Sequence, residues 1–532
     1  MAKKIEFTTD KMIDGLNKVA DAVKVTMGAR GRTVLLTRPF AGVVATKDGA
    51  TVAKNIEMED AEENIGAMLI KEVSKNVAEI AGDGTTTATV LTQALIKEGR
   101  KVIAAGAKPQ DVVRGMEFAT ENAIAALDSF ARPVSSNEEI MRVATISANG
   151  DTVLGQYIAD ATAKVGKDGV ITVEEGRGLE TEIDIVEGMQ FDQGMMSPYF
   201  VTDQETMKCE LVDTMVFVSE KRITNLKALL PVLEPIAQSG KPLLIIADDV
   251  DSEAVATLVL NRIKGGLKLC AVKAPGTGAQ RKEILKDICV LTGATLITDD
   301  LGMSFENMTP DVLGSAKKII VTKNTTTIID GCGQQDNISA RIEELRTSIE
   351  NEKAPYAKEK MQERLARLTG GIAVIKVGGM TEVEVKEKKD RVDDAVAATK
   401  AAIEEGIVAG GGSALFYASK LCGHGTDASQ DFGMGIQTVS KALLSPLYQI
   451  VENAGINGEV VANELRDLPI TSGYDVTHNH VIDMMTAGII DPVKVVKTAL
   501  KMAMSCATQC LLCGCVISDI PEKNEEKHPL QR

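Results

Sequence analysis

The sequence predicts a multidomain protein: both chain ends build one mainly α-helical domain, and the middle builds α/β structure. Three observations predict this. At 532 residues the chain exceeds one domain several-fold, since domains run to about 150 residues. Apolar residues recur at helical spacing through the first 130 positions and again after residue 390. Between those stretches, compact apolar runs alternate with helical segments, the pattern of an α/β domain with parallel pairing.

The elements follow in order. "DKMIDGLNKVADAVKVTMG" places Met12, Leu16, Val19, Ala20 and Val23 on one helical face, with Gly28 as its C-cap. "TVLLT" and "GVVATKDGATVA" read as two short strands around turns, with Lys47 and Asp48 on an Asp-Gly turn. "NIGAMLIKEVSKNVAEI" is an amphipathic helix with Ile65, Met68, Leu69 and Val73 facing inward. Helix resumes at "ATVLTQALIKEG", so "AGDGTTTATV" (81–90) is a short junction between two helices. "GKPLLIIADDV", "LKLCAVKAPG", "KKIIVTKNTTTIID" and "IAVIKVGG" read as strands, and a charged helical pair breaks at Pro355. After residue 390 come an Ala-rich helix, the triplet Gly410–Gly412, another helix and a polar tail.

Composition excludes several functions. The net charge of −16 repels phosphate backbones and anionic lipid, so neither nucleic acid nor membrane is an expected partner. Aromatic residues are 3% of the chain and Trp is absent, which argues against recognition by stacking. "MAKKIEFTTD" has no secretory-type apolar core, and a reducing cytosol or organelle matrix is expected. Nine cysteines, an odd number, argue against a disulfide framework. Cys506, Cys510, Cys513 and Cys515 include a C-x-x-C spacing, but no second pair or nearby His completes a zinc set, so a buried helix end is the better reading.

The junction holds the candidate chemistry. Gly82 and Gly84 allow close backbone approach, Thr85, Thr86 and Thr87 supply donors, and Asp83 supplies a hard oxygen suited to Mg²⁺. A capped helix start with a solvated Asp fits these residues equally well, and the Gly-Lys-Ser/Thr of a P-loop is absent. Three further stretches favour a nucleotide pocket assembled from distant segments: "VTMGARGRTV" with Gly28 and Gly31, "ATKDGATVA" with Lys47 and Asp48, and "AGGGSAL" at 409–415.

Together "TMGARGRTV", "TKDGATVAK", "AGDGTTTATVL", "TISANGD", "VEGMQFDQGMMSPYF", "KPLLIIADDV", "VKAPG", "TTTIIDG", "VKEKKDRVDDA" and "AAIEEGIVAGGG" resemble the group I chaperonins, the GroEL family, over residues 3 to 521. The resemblance implies a mainly α-helical equatorial domain (1–129 and 405–532), a small α/β intermediate hinge domain (130–186 and 373–404) and an α/β apical domain (187–372). It implies seven-membered homo-oligomeric rings, two of them stacked, with a GroES-type lid co-chaperonin and unfolded polypeptide clients. ATP, Mg²⁺ and K⁺ are the implied cofactors. By motif, Asp83 would hold Mg²⁺, and Gly84, Thr85, Thr86 and Thr87 the phosphates. Thr26 would give a carbonyl to K⁺. Met27, Gly28, Lys47, Gly411, Asp475 and Asp491 would line the nucleotide. Asp394 would orient the attacking water, with Asp48 assisting. Gly188, Gly371, Gly406 and Pro133 match hinge positions.

Apolar stripes at 226–236 and 255–263 read on composition alone as core. The resemblance instead places Met195, Ser197, Tyr199, Phe200, Leu230, Leu233, Val255, Val259 and Leu260 on a surface for polypeptide and lid. Four departures stand out: Ala29 where the family has Pro, Thr277 and Ala279 in the apical loop, Gln193 in place of Arg, and no Gly-Gly-Met tail. The changed apical loop and the absent tail leave room for a second reading, a holding or scaffolding chaperonin with little productive ATP cycling. A metabolic phosphotransferase would need an acceptor pocket with a general base, and no candidate stands out. The compartment is read as bacterial cytoplasm, with a mitochondrial or related organelle matrix as the alternative.

Overall fold

The computed structural model describes residues 3–38, 42–148, 150–166, 169–176, 178–204, 206–298, 305, 308–352, 354–423 and 429–519. The polar tail after residue 521 lies outside them. The chain divides into two compact units, residues 1–159 with 387–532 and residues 160–386. No helix among the described residues is long and apolar enough to cross a membrane.

The first unit begins with β1 (Lys3–Glu6), α1 (Asp10–Lys24), the antiparallel hairpin β2 (Val34–Arg38) and β3 (Gly42–Thr46), and α2 (Gly49–Asn55). Four long or middle-sized helices follow: α3 (Ala61–Ala81), α4 (Thr85–Ala104), α5 (Pro109–Phe130) and α6 (Asn137–Ser147). The chain leaves this unit within α7 (Thr152–Val165).

The second unit holds two sheets. The smaller orders β4 (Val170–Glu175), β12 (Ile372–Val377) and β5 (Glu182–Val186), with central β12 parallel to β4 and antiparallel to β5. The larger has six strands in the order β6 (Gly188–Phe191), β11 (Thr326–Gly331), β10 (Gly314–Val321), β7 (Cys209–Ser219), β8 (Leu243–Ala247) and β9 (Leu269–Lys273). Within this larger sheet the expected parallel pairing holds for β7, β8 and β9. Between them run α8 (Leu230–Ser239) and α9 (Ser252–Gly265), the crossovers that parallel neighbours need. The other pairings are antiparallel, and β10 reaches β11 through a tight turn in which the Thr322 N–H donates to the Thr325 carbonyl at 2.8 Å.

Three helices, α10 (Gly278–Thr292), α11 (Gln335–Asn351) and α12 (Pro355–Thr369), are pinned by a buried ion network. Asp287, 1% exposed at its side chain, accepts from Arg341 Nε at 2.8 Å and from Arg364 Nε at 2.7 Å. The helical pair divides at Pro355, as the sequence predicts.

The chain re-enters the first unit within α13 (Glu382–Glu405) and continues through β13 (Ile407–Ala409), α14 (Ser413–Ala418), α15 (Gln430–Ala442), α16 (Ser445–Asn453) and α17 (Gly458–Glu464). It ends with the hairpin β14 (Ser472–Asp475) and β15 (His480–Asp483), then α18 (Met484–Ala487), β16 (Ile490–Pro492), α19 (Val493–Leu512) and β17 (Val516–Asp519). Strands β1 and β17 pair antiparallel, Ile5 opposite Ile517, so both ends of the chain close one unit. The core packs α1, α3, α4, α5, α15 and α19 around Leu16, Ile70, Leu91, Leu95, Met116, Val439 and Leu500, all fully buried. Each such side chain contributes about 1.5–3 kcal/mol relative to exposure.

Three local expectations change. Residues 49–55 form helix α2, because Asp48 caps it: its carboxylate accepts from the Ala50 and Thr51 N–H groups at 3.1 and 2.7 Å. Helix α1 stops at Lys24, and Gly28 takes positive φ (+81°) in the following loop. Met68 is exposed, and α3 turns Ala67, Ile70, Val73 and Val77 inward instead. Cys506 and Cys510 are buried on α19, while Cys515 is exposed and Cys513 half-buried, in keeping with a helix end.

Candidate functional site

Helix α3 ends at Ala81 and α4 starts at Thr85, so Asp83 sits in a two-glycine turn. Gly82 and Gly84 have φ of +74° and +89°, where a side chain is strained. At Gly84 a Cβ would also lie 2.6 Å from Val495 Cγ1. Gly84 is the N-cap and provides no side-chain acceptor, so the first N–H groups of α4 are left for another partner. The start of α2 abuts the start of α4: a Cβ on Gly49 would stand 2.2 Å from Thr86 Oγ1. Two helix N-termini therefore converge, each favouring negative charge.

Carboxylates crowd the same place. Asp83 accepts from its own Gly84 N–H and from the Ser147 hydroxyl at 2.9 Å. Desolvation still pushes its carboxyl above the ordinary range, with repulsion from Asp48 adding to this. Asp394, on α13, is raised well above that range by desolvation and then by Asp83, Asp48, Asp393 and Asp390. By surface area Asp394 is exposed, so the surrounding carboxylates are the firmer cause of that direction. Asp491, on β16 opposite Val408, is pushed up to about 7 by desolvation and by Asp83. A Cβ on Gly410 would come within 3.1 Å of Asp491 Oδ1, which brings the glycine triplet before α14 to the same cluster.

Whether Mg²⁺ fits can be read from the donors. No group of three His, Cys, Asp or Glu among the described residues converges tightly enough to hold a metal unaided. Mg²⁺ does not need that: it binds through one or two carboxylates together with substrate phosphates and waters. The mutual repulsion of Asp48, Asp83, Asp394 and Asp491 is what a divalent cation relieves, and all their donors are hard oxygens. The residues fit the ion.

The loop after α1 is held by a residue the sequence did not single out. Asn453 Nδ2 donates to the carbonyls of Lys24 and Met27 at 3.0 and 2.9 Å. Thr26 is buried with its hydroxyl donating to the Val23 carbonyl at 2.8 Å, so its backbone carbonyl is the oxygen left to consider for K⁺. Met27 is buried and Lys47 exposed. Gly411 takes positive φ (+64°) beside Met484.

Asp475, expected to line the nucleotide, is anchored within its own hairpin. Both of its oxygens are engaged within the β14–β15 hairpin, by the Thr477 N–H at 2.8 Å and by His478 Nδ1 at 2.6 Å. Desolvation works against its charge, but these partners hold its carboxyl below the ordinary range. It shapes the hairpin, and the exposed His478 is its partner. Ser147 is the other residue overlooked. "TISANGD" contains it, but nothing local in that motif points to Asp83, 64 residues away.

A profile of the TCP-1/cpn60 chaperonin family matches residues 19–521. The chain belongs to that family. Its fold is similar to the crystal structure of the chaperonin gp146 from the bacteriophage EL 2 (Pseudomonas aeruginosa), solved in the presence of ATP-BeFx. That likeness has a TM-score of 0.71 and 23% identity, and covers 98% of this chain and 100% of the phage chain.

In the second unit of the chaperonin, the residues expected on an apolar surface divide into three groups. Tyr199, Leu230 and Leu260 are 68%, 44% and 51% exposed. Met195, Ser197, Leu233 and Val255 are half-buried. Phe200 and Val259 are buried in the core of this unit, so they do not form part of such a surface. Phe200 fills space under its own turn, and Val259 lies on the inward side of α9. Ile263, one turn from Leu260, is also exposed, at 62%.

Proposed function

We propose that this member of the TCP-1/cpn60 family is a group I-type folding chaperonin that couples ATP hydrolysis to capture and enclosure of unfolded polypeptides. Family membership makes it an ATP-dependent protein-folding chaperonin in general terms. The observation that carries the finer reading is the convergence of Asp48, Asp83, Asp394 and Asp491 at the paired N-termini of α2 and α4. Phosphoryl transfer needs positioned charge and an aligned water more than covalent chemistry.

In this reading the N–H groups and hydroxyls of Thr85, Thr86 and Thr87 take the phosphates. Asp83 would hold Mg²⁺, which would neutralise phosphate charge at this site. The Ser147 hydroxyl and the Gly84 N–H orient the Asp83 carboxylate, which has further lone pairs for the ion. Asp394, as its carboxylate, is suited to orient the attacking water and accept its proton, and the desolvation and neighbouring acids that raise its proton affinity make it the stronger base. Gly411 and Asp491 lie toward the sugar, Lys47 and Asp48 flank the phosphates, and the Thr26 carbonyl serves K⁺. Residues 1–129 with 405–532, 130–186 with 373–404, and 187–372 are the proposed equatorial, intermediate and apical domains. Rings of seven subunits, stacked in two, with a GroES-type lid complete the machine.

The test is the refolding yield of an aggregation-prone protein with Mg-ATP, K⁺ and a cognate lid, against the same mixture without nucleotide. Native protein recovered only with ATP supports the proposal. Aggregation suppressed equally with and without ATP, with no native protein returned, replaces it with the holding reading.

A further inference from the structure

The exposed aromatic Tyr199 sits on one tight turn, Pro198–Phe200. From one side the turn is fixed by its own bonds: the Tyr199 N–H donates to Ser197 Oγ at 3.3 Å and the Val201 N–H to the Pro198 carbonyl at 3.2 Å. From below it is fixed by Phe200, fully buried. Ahead of it, the Met196 N–H donates to the Ala271 carbonyl at 3.0 Å, tying the approach to β9. What remains is the flank toward α9, which packs against the turn.

Arg262, in the last turn of α9, closes that flank. Its Nη1 donates to the Tyr199 carbonyl, and its Nη2 to the Val201 carbonyl at 2.7 Å. A planar guanidinium can reach two carbonyls at once; an ammonium is a point charge without that fork. Its neighbours on the helix, Leu260 and Ile263, are both exposed.

We infer that Arg262 is a positioning residue of the polypeptide-binding surface: its fork locks the Pro198–Val201 turn so that Tyr199 stands beside the exposed α9 side chains Leu260 and Ile263. The inference rests on the proposed capture of unfolded polypeptide by this unit, and the occupant is a polypeptide segment presenting apolar side chains. A surface already ordered avoids the entropy of ordering a loop at each binding event. Without the fork, the turn must be immobilised anew each time, and affinity for clients falls by about three- to tenfold.

The chain has no Trp, so Tyr199→Trp installs a single reporter in the turn. In the full-length assembled protein, Arg262→Gln and Arg262→Lys are compared in this background for the anisotropy of that indole. In the native background they are compared for binding of a labelled, reduced and alkylated lactalbumin that stays unfolded. Leu260→Ser is the control for the surface itself. The expected result is a more mobile reporter indole and about three- to tenfold weaker capture in Arg262→Gln, an intermediate value in Arg262→Lys, and an unchanged melting temperature in both. Weaker capture in Leu260→Ser with none in Arg262→Gln overturns the positioning role and leaves the surface standing. Unchanged capture in Leu260→Ser overturns the surface reading and this inference with it. A lowered melting temperature in Arg262→Gln with unchanged indole anisotropy marks a general packing role and also overturns the inference.

Discussion

Asp491 offers a direct test of whether the acidic cluster exists as described, through stability. Desolvation and Asp83 lift its carboxyl from the ordinary 3.8 to about 7. The folded state thus holds the Asp491 proton more tightly than the unfolded state does. Between about pH 4 and pH 7 the unfolded chain binds fewer protons than the native one, so stability falls as pH rises through that window and levels off above it. At 1.36 kcal/mol per tenfold, the full native-state penalty above pH 7 is about 4 kcal/mol. Asp491 is half-buried, so solvent screens part of it, which leaves about 2–4 kcal/mol. Asp491→Asn removes the charge with nearly the same shape. In EDTA and without nucleotide, urea unfolding followed by circular dichroism should show the variant more stable than the parent by that amount at pH 8, and equal to it near pH 4. A variant that is less stable at both pH values, or a gain that does not depend on pH, would refute the account of the cluster.

Two further substitutions probe separate claims. Asp287→Asn removes the buried charge shared by the Arg341 and Arg364 guanidiniums, each 8% exposed, and leaves them Glu283. It should destabilise the second unit by about 1.5–3 kcal/mol, read as faster hydrogen exchange across α10, α11 and α12. Gly84→Ala forces a side chain into a left-handed conformation 2.6 Å from Val495 Cγ1. It should lower stability by more than about 1 kcal/mol and weaken nucleotide binding at least about tenfold, measured by titration calorimetry.

How far the sequence reached depends on the range of the interaction. Helices α3 and α4 were legible because their apolar residues repeat at the helical period, and the Asp83 turn because two glycines interrupt it. Helix α2 was misread because Asp-Gly serves both hairpin turns and helix caps; only the Asp48 side chain bonding forward to Ala50 and Thr51 decides between them. The directions of β10 and β11 were not legible, since an apolar run records burial and leaves strand polarity open. Phe200 and Val259 are expected on a surface only through the family resemblance; the apolar pattern alone reads as core, and both side chains are buried. Ser147 with Asp83, and Asn453 with Met27, are pairs 64 and 426 residues apart. No local pattern encodes either.

The central claim is that Asp394 acts on the water that attacks ATP and does not hold the nucleotide. Its most direct test is the Asp394→Asn variant, with ATP hydrolysis and ATP affinity measured side by side in Mg²⁺ and K⁺. The account predicts turnover lowered by about 100-fold or more with affinity retained within about threefold. Turnover near that of the parent, or affinity lost in step with turnover, would contradict it.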